Sequence, residues 1–255
     1  MTTSAAEPRG EGVAAGEHTA YPPLDGTKRK AVVRQGLSVG IATGAYGISF
    51  GALGVTAGLS TLQTVTLSML LFSGGSQFAV VGILGAGGTG AAAVATSTLL
   101  GVRNGLYALQ TSRILNVHGL RRLLAAHVTI DESTAVSVGQ DDERAGRLGF
   151  WVTGLTVFAF WNVMTLMGAI AGNALGDPQR WGLDAAAAAA FTALLWPRLQ
   201  SRDAAATMVL AIAIALLTSP FLPVGVPVIL TVLAALIVGL TGGGRHEGIE
   251  IEDEP

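Results

Sequence analysis

Four groups of polar residues stand where an otherwise apolar chain has no ordinary use for them. The first is Phe72-Ser73-Gly74-Gly75-Ser76-Gln77-Phe78, inside a long apolar run. Two adjacent glycines weaken a helix, and Ser73, Ser76 and Gln77 bring hydroxyl and amide groups to the weak point. A helix interrupted there frees N–H groups that can hold a carboxylate and C=O groups that can hold an ammonium. The competing reading is a packing kink, with Gln77 hydrogen-bonded to a neighbouring helix. The second group is Arg103-Asn104, with Tyr107 one helical turn on. A cation deep in an apolar helix costs at least about 2.5 kcal/mol to insert, so it calls for a partner or a wet cavity. Arg103 then either anchors a substrate carboxylate or an internal acid, or it snorkels to the headgroups.

The third group is His127-Val128-Thr129-Ile130-Asp131-Glu132. If this segment dips into the protein, Asp131 or Glu132 can take up protons or pair with Arg103. Otherwise they are solvated acids capping a helix that begins at Ser133. One histidine and two adjacent acids do not make a metal-ligand set, so no metal is expected. The fourth group, Trp161-Asn162, reads as interhelical packing and hydrogen bonding.

The elements that must hold these groups follow from composition. Of 255 residues, 50% are hydrophobic and 13% charged, against about 25% charged in ordinary soluble domains. From Gln35 to Val102 there are 68 consecutive residues with no Asp, Glu, Lys, Arg or His. A bilayer span needs only about 20 apolar residues, so the chain is read as an all-α integral membrane protein. Spans are expected at about 36–58, 62–85, 89–115, 148–174, 204–219 and 224–241. A shorter one is expected through the alanine run that Asp184 would cap. That makes about seven transmembrane helices. FGALGVTAGLS (50–60) and MGAIAGNALG (167–176) echo each other weakly. With three helices per unit, the second unit would be inverted, giving two inverted three-helix repeats with broken helices. Gly36, Gly40, Gly44, Gly47, Gly51 and Gly54 form a stripe at spacings of three and four, read as a close-packed helix face.

Residues 1–34 are read as a disordered, cytoplasmic-type tail ending in a basic juxtamembrane cluster. Residues 35–241 form the transmembrane domain, and 242–255 an acidic disordered tail. Orientation is in conflict. Three full spans would put Arg113, Arg121, Arg122, Arg144 and Arg147 on the side opposite the basic N-terminal cluster, against the positive-inside tendency. A half-crossing in 62–90, or an embedded segment within 116–147, would remove the conflict. A net charge of −2 without a basic stripe excludes nucleic-acid binding. With no cysteine there is no disulfide or thiolate metal site. No phosphate-binding loop or nucleophile elbow occurs, so neither an enzyme nor a cofactor is expected.

Taken in order, several of these motifs resemble the AzlC family. They are Gly47-x-x-Phe50-Gly51, Gly58-Leu59-Ser60, Phe72 to Phe78, Val102-Arg103-Asn104-x-x-Tyr107, Ile130-Asp131-Glu132, the Trp161 helix and Gly182-Leu183-Asp184 leading into Phe191. The resemblance covers about residues 30–240. It implies the large subunit of a two-component exporter of branched-chain amino acids, with methionine a further substrate in some members. It also implies a small AzlD-type membrane partner, the bacterial cytoplasmic membrane and drive by the proton motive force. Substrate binding is then expected at Gly74, Gly75, Ser76, Gln77, Arg103, Asn104 and Tyr107, with proton coupling at Asp131 or Glu132. One departure bears on coupling: relatives commonly carry histidine where this chain has Asn104. The alternatives are a membrane scaffold or binding subunit, and a downhill facilitator for another small solute.

Overall fold

The computed structural model describes residues 24–174, 192, 195–196 and 199–242, and among these there are helices and turns but no strand. The helices are α1 (Gly26–Ala45), α2 (Gly47–Thr56), α3 (Thr61–Leu70), α4 (Gly74–Gly85), α5 (Gly90–Leu115), α6 (Leu120–His127), α7 (Asp131–Val138) and α8 (Glu143–Ala174). After these come α9 (Arg202–Thr218), α10 (Val226–Leu230) and α11 (Val232–Gly242). The expected span through the alanine run, its cap Asp184 and most of both tails lie outside the described residues.

The frame is a pair of parallel rods. α1 and α2 form one rod, bent at Tyr46, and α8 forms the other; both are long and apolar enough to cross a bilayer. From Gly36 to Gly51 the glycine stripe is their contact, and Gly54 beyond it faces Thr64 on α3. A Cβ added at Gly36 would lie 2.9 Å from Thr153 Oγ1, and one at Gly40 would lie 2.6 Å from Thr156 Cβ. Further along, Gly51 faces the backbone of Thr165 and Ala169. Only residues without a side chain permit this approach, which supplies dispersion contact where the hydrophobic effect is absent. The two echoed segments lie here side by side: Gly168 meets the backbone of Ile48, and Gly172 meets Ala52 and Val55. The echoed stretches run parallel here, and the repeat read from them continues into the alanine run, outside the described residues.

Between the rods the chain makes two re-entrant hairpins and one crossing. Ser60 starts α3 with a capping box: its Oγ accepts from the Gln63 amide at 3.2 Å, and its own amide donates to Gln63 Oε1 at 2.8 Å. α3 then runs down α8. Asn173 Nδ2 donates to Thr61 Oγ1 at 2.7 Å, Ser68 Oγ donates to Thr165 Oγ1 at 3.2 Å, and the Phe72 and Phe158 rings meet at 5.1 Å. α4 climbs back along α2, with Phe78 against Phe50 at 5.8 Å and Gly85 brought against Ala57. The segment 62–85 is thus a helical hairpin broken at Leu71–Ser73, and the expected full span is corrected. Its two arms have ten and twelve residues, or about 15 and 18 Å each, half of what a crossing needs.

α5, at 26 residues, returns across the molecule. Its end is held to the start of α8 by Arg147 Nε, which donates to the Ile114 carbonyl. The stretch 116–147, where the sequence allows an embedded segment, contains the second hairpin. α6 climbs beside α8: Ala125 packs with Leu115 and Phe150, and His127 meets Phe158 at 5.4 Å. α7 descends again, with Ile130 clustered with Val157, Val136 against Gly149 and Ser137 against Gly146.

Each hairpin enters and leaves on one face, so neither changes the side of the chain. The orientation conflict disappears. Lys28, Arg29, Lys30, Arg34, Arg113, Arg121, Arg122, Arg144 and Arg147 all fall at the end of the frame where α1 and α8 begin. At the opposite face the turns 57–60 and 86–89 and the end of α8 carry no ionisable residue. At the basic face Lys28 Nζ lies 2.7 Å from Asp142 Oδ2. That hydrogen bond, with another from the Ala145 amide, holds the Asp142 carboxyl below its ordinary range. Beyond α8, α9 packs on α10 and α11, and Pro227 is buried in the first turn of α10 near α5.

Candidate functional site

The two hairpin tips and the middle of α5 converge on one cavity of about 290 Å³, near the small end of small-molecule sites, about 300–1,000 Å³. One end is polar. Arg103 Nη1 lies 3.1 Å from Asp131 Oδ2, with both side chains partly buried. Asp131 and Glu132 form the first turn of α7, which begins at Asp131 rather than at Ser133. Two acids there are favoured by the exposed amides of a helix start. Ser133 instead ties the tip, donating to the Val128 carbonyl at 2.7 Å and accepting from the Ile130 amide at 3.0 Å.

The tip of the first hairpin forms the opposite wall. Ser73 is extended, and α4 starts at Gly74 with no side chain capping its first amides. Gly75 makes room for the guanidinium: a Cβ there would lie 3.1 Å from Arg103 Nη2. Arg103 spends Nη1 on Asp131, while its Nε has no partner. A guanidinium carries five donors in a planar fork, so the pair leaves capacity for a second carboxylate. The other end is apolar, walled by Phe72, Phe78, Ile130, Val157 and Trp161. Trp161 stacks on Phe50 at 6.2 Å and meets Phe78 edge-on at 6.1 Å.

Of the residues singled out from sequence, Gly74, Gly75, Arg103, Asp131 and Glu132 line this cavity. Ser76, Gln77, Asn104 and Tyr107 do not. Ser76 lies behind the wall, its Oγ donating to the Ser97 carbonyl at 2.9 Å. Gln77 is fully buried, and its Nε2 donates to the carbonyls of Ser68 at 3.1 Å and Leu71 at 2.7 Å. It therefore closes the C-terminal end of α3 and joins the two arms of the hairpin. Gln77→Ala leaves the buried Ser68 carbonyl without that donor and leaves the part-buried Leu71 carbonyl only the Ser73 amide. It is expected to lower the stability of the protein by about 1–3 kcal/mol, read as an earlier melting transition in detergent. Asn104 and Tyr107 are half-buried on α5 outside the cavity. Sequence reasoning missed Thr43, Tyr46 and Leu100 as wall residues. It also read Trp161 as packing alone, although Phe72 and Phe78 bracket the glycine motif and mark the same wall. Among the described residues no cluster of three or more potential metal ligands occurs.

A helical membrane protein whose broken helices meet around a small cavity, polar at one end and apolar at the other, is built as a transporter. Comparison with known families agrees and narrows this: the family model described as AzlC protein matches residues 38–175, more than half of the chain. The chain belongs to the AzlC family, a family of all-α membrane transporters rather than of enzymes. No curated protein and no solved structure matches it.

Proposed function

We propose that the protein exports branched-chain amino acids, chiefly valine, leucine and isoleucine and also methionine, across the bacterial cytoplasmic membrane. It acts as the large subunit of a two-component permease with a small AzlD-type membrane partner. The observation that carries the reading is the two-ended cavity. A zwitterion with an aliphatic side chain needs an anion site, a cation site and an apolar wall within a few ångströms. Arg103 and the first amides of α4 suit the carboxylate, Asp131 and Glu132 suit the ammonium, and Phe72, Phe78, Val157 and Trp161 suit the side chain.

The same layout supports drive by the proton motive force. A proton on Asp131 or Glu132 removes the charge that an ammonium needs, so proton and substrate compete for one site. Competition of that kind gives exchange in opposite directions. This route does not call on position 104, where the chain departs from its relatives. The clustering of lysine and arginine at one face assigns that face to the cytoplasm by the positive-inside tendency.

Efflux from bacterial cells loaded with valine- and leucine-containing dipeptides tests the reading, comparing this chain alone, with its small partner, and neither. Faster efflux that needs the partner and fails under an uncoupler is the expected result. Unchanged efflux with the protein confirmed in the membrane would remove branched-chain amino acids as substrates. Efflux that persists as downhill equilibration without the gradient would favour a facilitator.

A further inference from the structure

We infer that the two re-entrant hairpins are the two gates of the transport path. The α3–α4 hairpin closes the cavity toward the face opposite the basic one, the α6–α7 hairpin closes it toward the basic face, and Phe72 and His127 form the contact between their tips. This deepens the transport reading but does not depend on which solute is carried.

The hairpins come from opposite faces. The second enters from the basic face and the first from the face opposite, as their contacts along α8 establish. Both end at the cavity: Phe72 to Gly75 from one tip and Ile130 to Glu132 from the other form its walls. Backbone can leave helical geometry at this depth only where it is buried in protein or lines a wet cavity. Both broken points meet that condition at the same place. The tips touch there. The Phe72 and His127 rings lie 5.9 Å apart, and both pack on Phe158, at 5.1 and 5.4 Å. A solute leaving toward either face must draw a hairpin tip away from this cluster.

The hairpins are also built to move as units. Gln77 ties the arms of the first, and Ser133 ties the tip of the second. The bases are where the chain turns most sharply. Gly58 and Gly87 flank the first hairpin at φ +91° and +78°, with open space where a Cβ would be. Asn116 and Gly119 precede the second at φ 44° and 59°. Glycine at such φ values is free of the penalty other residues incur, and hinges absorb their change at a few loop positions of this kind. The α1–α2 and α8 rods, by contrast, are in backbone contact along the glycine stripe and cannot separate without losing it. The fold thus divides into a stiff frame and two tied, hinged hairpins that meet over the binding cavity. His127, which lies off the cavity wall, becomes a positioning residue for transport, while Phe72 serves both as wall and as the point where the gates join.

The absence of cysteine from the chain gives a clean test. Phe72→Cys and His127→Cys are combined in the full protein with its partner in proteoliposomes, and the tips are joined with a short, reducible bifunctional thiol reagent. Leucine transport is expected to fall at least tenfold on cross-linking and to return on reduction. His127→Cys alone, off the cavity wall, is expected to keep its own untreated rate under the same treatment. The paired variant capped with a monofunctional thiol reagent separates joining of the tips from mere occupation of the wall at Phe72. Undiminished transport with the tips joined would overturn the inference. A second measurement needs no transported solute and stands if the paired variant is inactive. Ser73→Cys, on the cavity wall, is treated with a membrane-impermeant thiol reagent from one face at a time. Labelling from either face is expected of a cavity gated alternately, and labelling from one face alone would overturn the proposal. If labelling is two-sided but leucine is not carried, the gates stand and the amino-acid reading fails.

Discussion

Replacing Arg103 by Ala is expected to reduce amino-acid export at least about 25-fold while leaving insertion and abundance in the membrane unchanged. The guanidinium is the one cation on the cavity wall among the described residues, 3.1 Å from Asp131 and framed by Gly75. Losing a charged hydrogen-bond partner for a buried carboxylate costs about 2–5 kcal/mol, and each 1.4 kcal/mol is tenfold. Arg103→Lys is expected to recover only a small fraction, because an ammonium lacks the planar fork. The alternative is that the ion pair merely fastens α5 to the second hairpin. The exchange Arg103→Asp with Asp131→Arg separates the two. It restores an ion pair but reverses the polarity presented to the substrate, so assembly is expected to recover and export is not. Export equal to wild type in Arg103→Ala, with protein levels matched, would remove the residue from the site.

The second large effect is structural. Gly51→Val and Gly168→Val are each expected to abolish the folded protein, seen as loss of the monodisperse peak in fluorescence-detected size-exclusion chromatography. A Cβ at Gly51 would run into the Thr165 carbonyl and lie 2.7 Å from the Ala169 amide nitrogen; one at Gly168 would run into the backbone of Ile48. Obstruction by a flexible side chain costs about 1–3 kcal/mol, but here the obstacle is helix backbone, which cannot rotate away. The whole α1–α2 and α8 contact would have to open. Gly82 is the internal control: nothing lies within 4 Å of its Cβ position, and Gly82→Ala in the middle of α4 is expected to fold normally. Its residual effect is expected to be a gain of a few tenths of a kcal/mol, because alanine restricts the unfolded chain.

The contrast between these glycines shows what was legible beforehand. The stripe from Gly36 to Gly54 recurs every three or four residues, and that period alone identifies a close-packed face. For Gly36 to Gly51 the partner lies more than a hundred residues away on α8 and carries no matching signal beyond small residues such as Gly168 and Gly172. The chemistry was legible for a related reason. Arg103, Asp131 and the Gly74-Gly75 break are out of place in hydrocarbon, and any such group demands a partner. The sequence allowed Arg103 a pairing with Asp131 or Glu132; its place against Gly75 was not legible. Ser76 and Gln77 belong to the same motif as Gly74, yet one turn of helix points them behind the wall, where they hold Ser97, Ser68 and Leu71.

What the sequence by itself determined is the solvent this protein lives in, its helical character, and the few polar residues that must meet inside it. Those follow from composition and period, because burying a charge or freeing a backbone group in a bilayer is costly wherever it occurs in the chain. Only the tertiary structure decided that the apolar stretch 62–85 turns back instead of crossing, that the polar stretch 116–147 dips into the frame, and that both basic clusters therefore share one face. It also decided that Arg103 meets Asp131 against Gly75. A hairpin and a span of equal length have nearly the same hydropathy; what separates them is contact with α8 and α2, residue by residue, and one sequence does not write those contacts down.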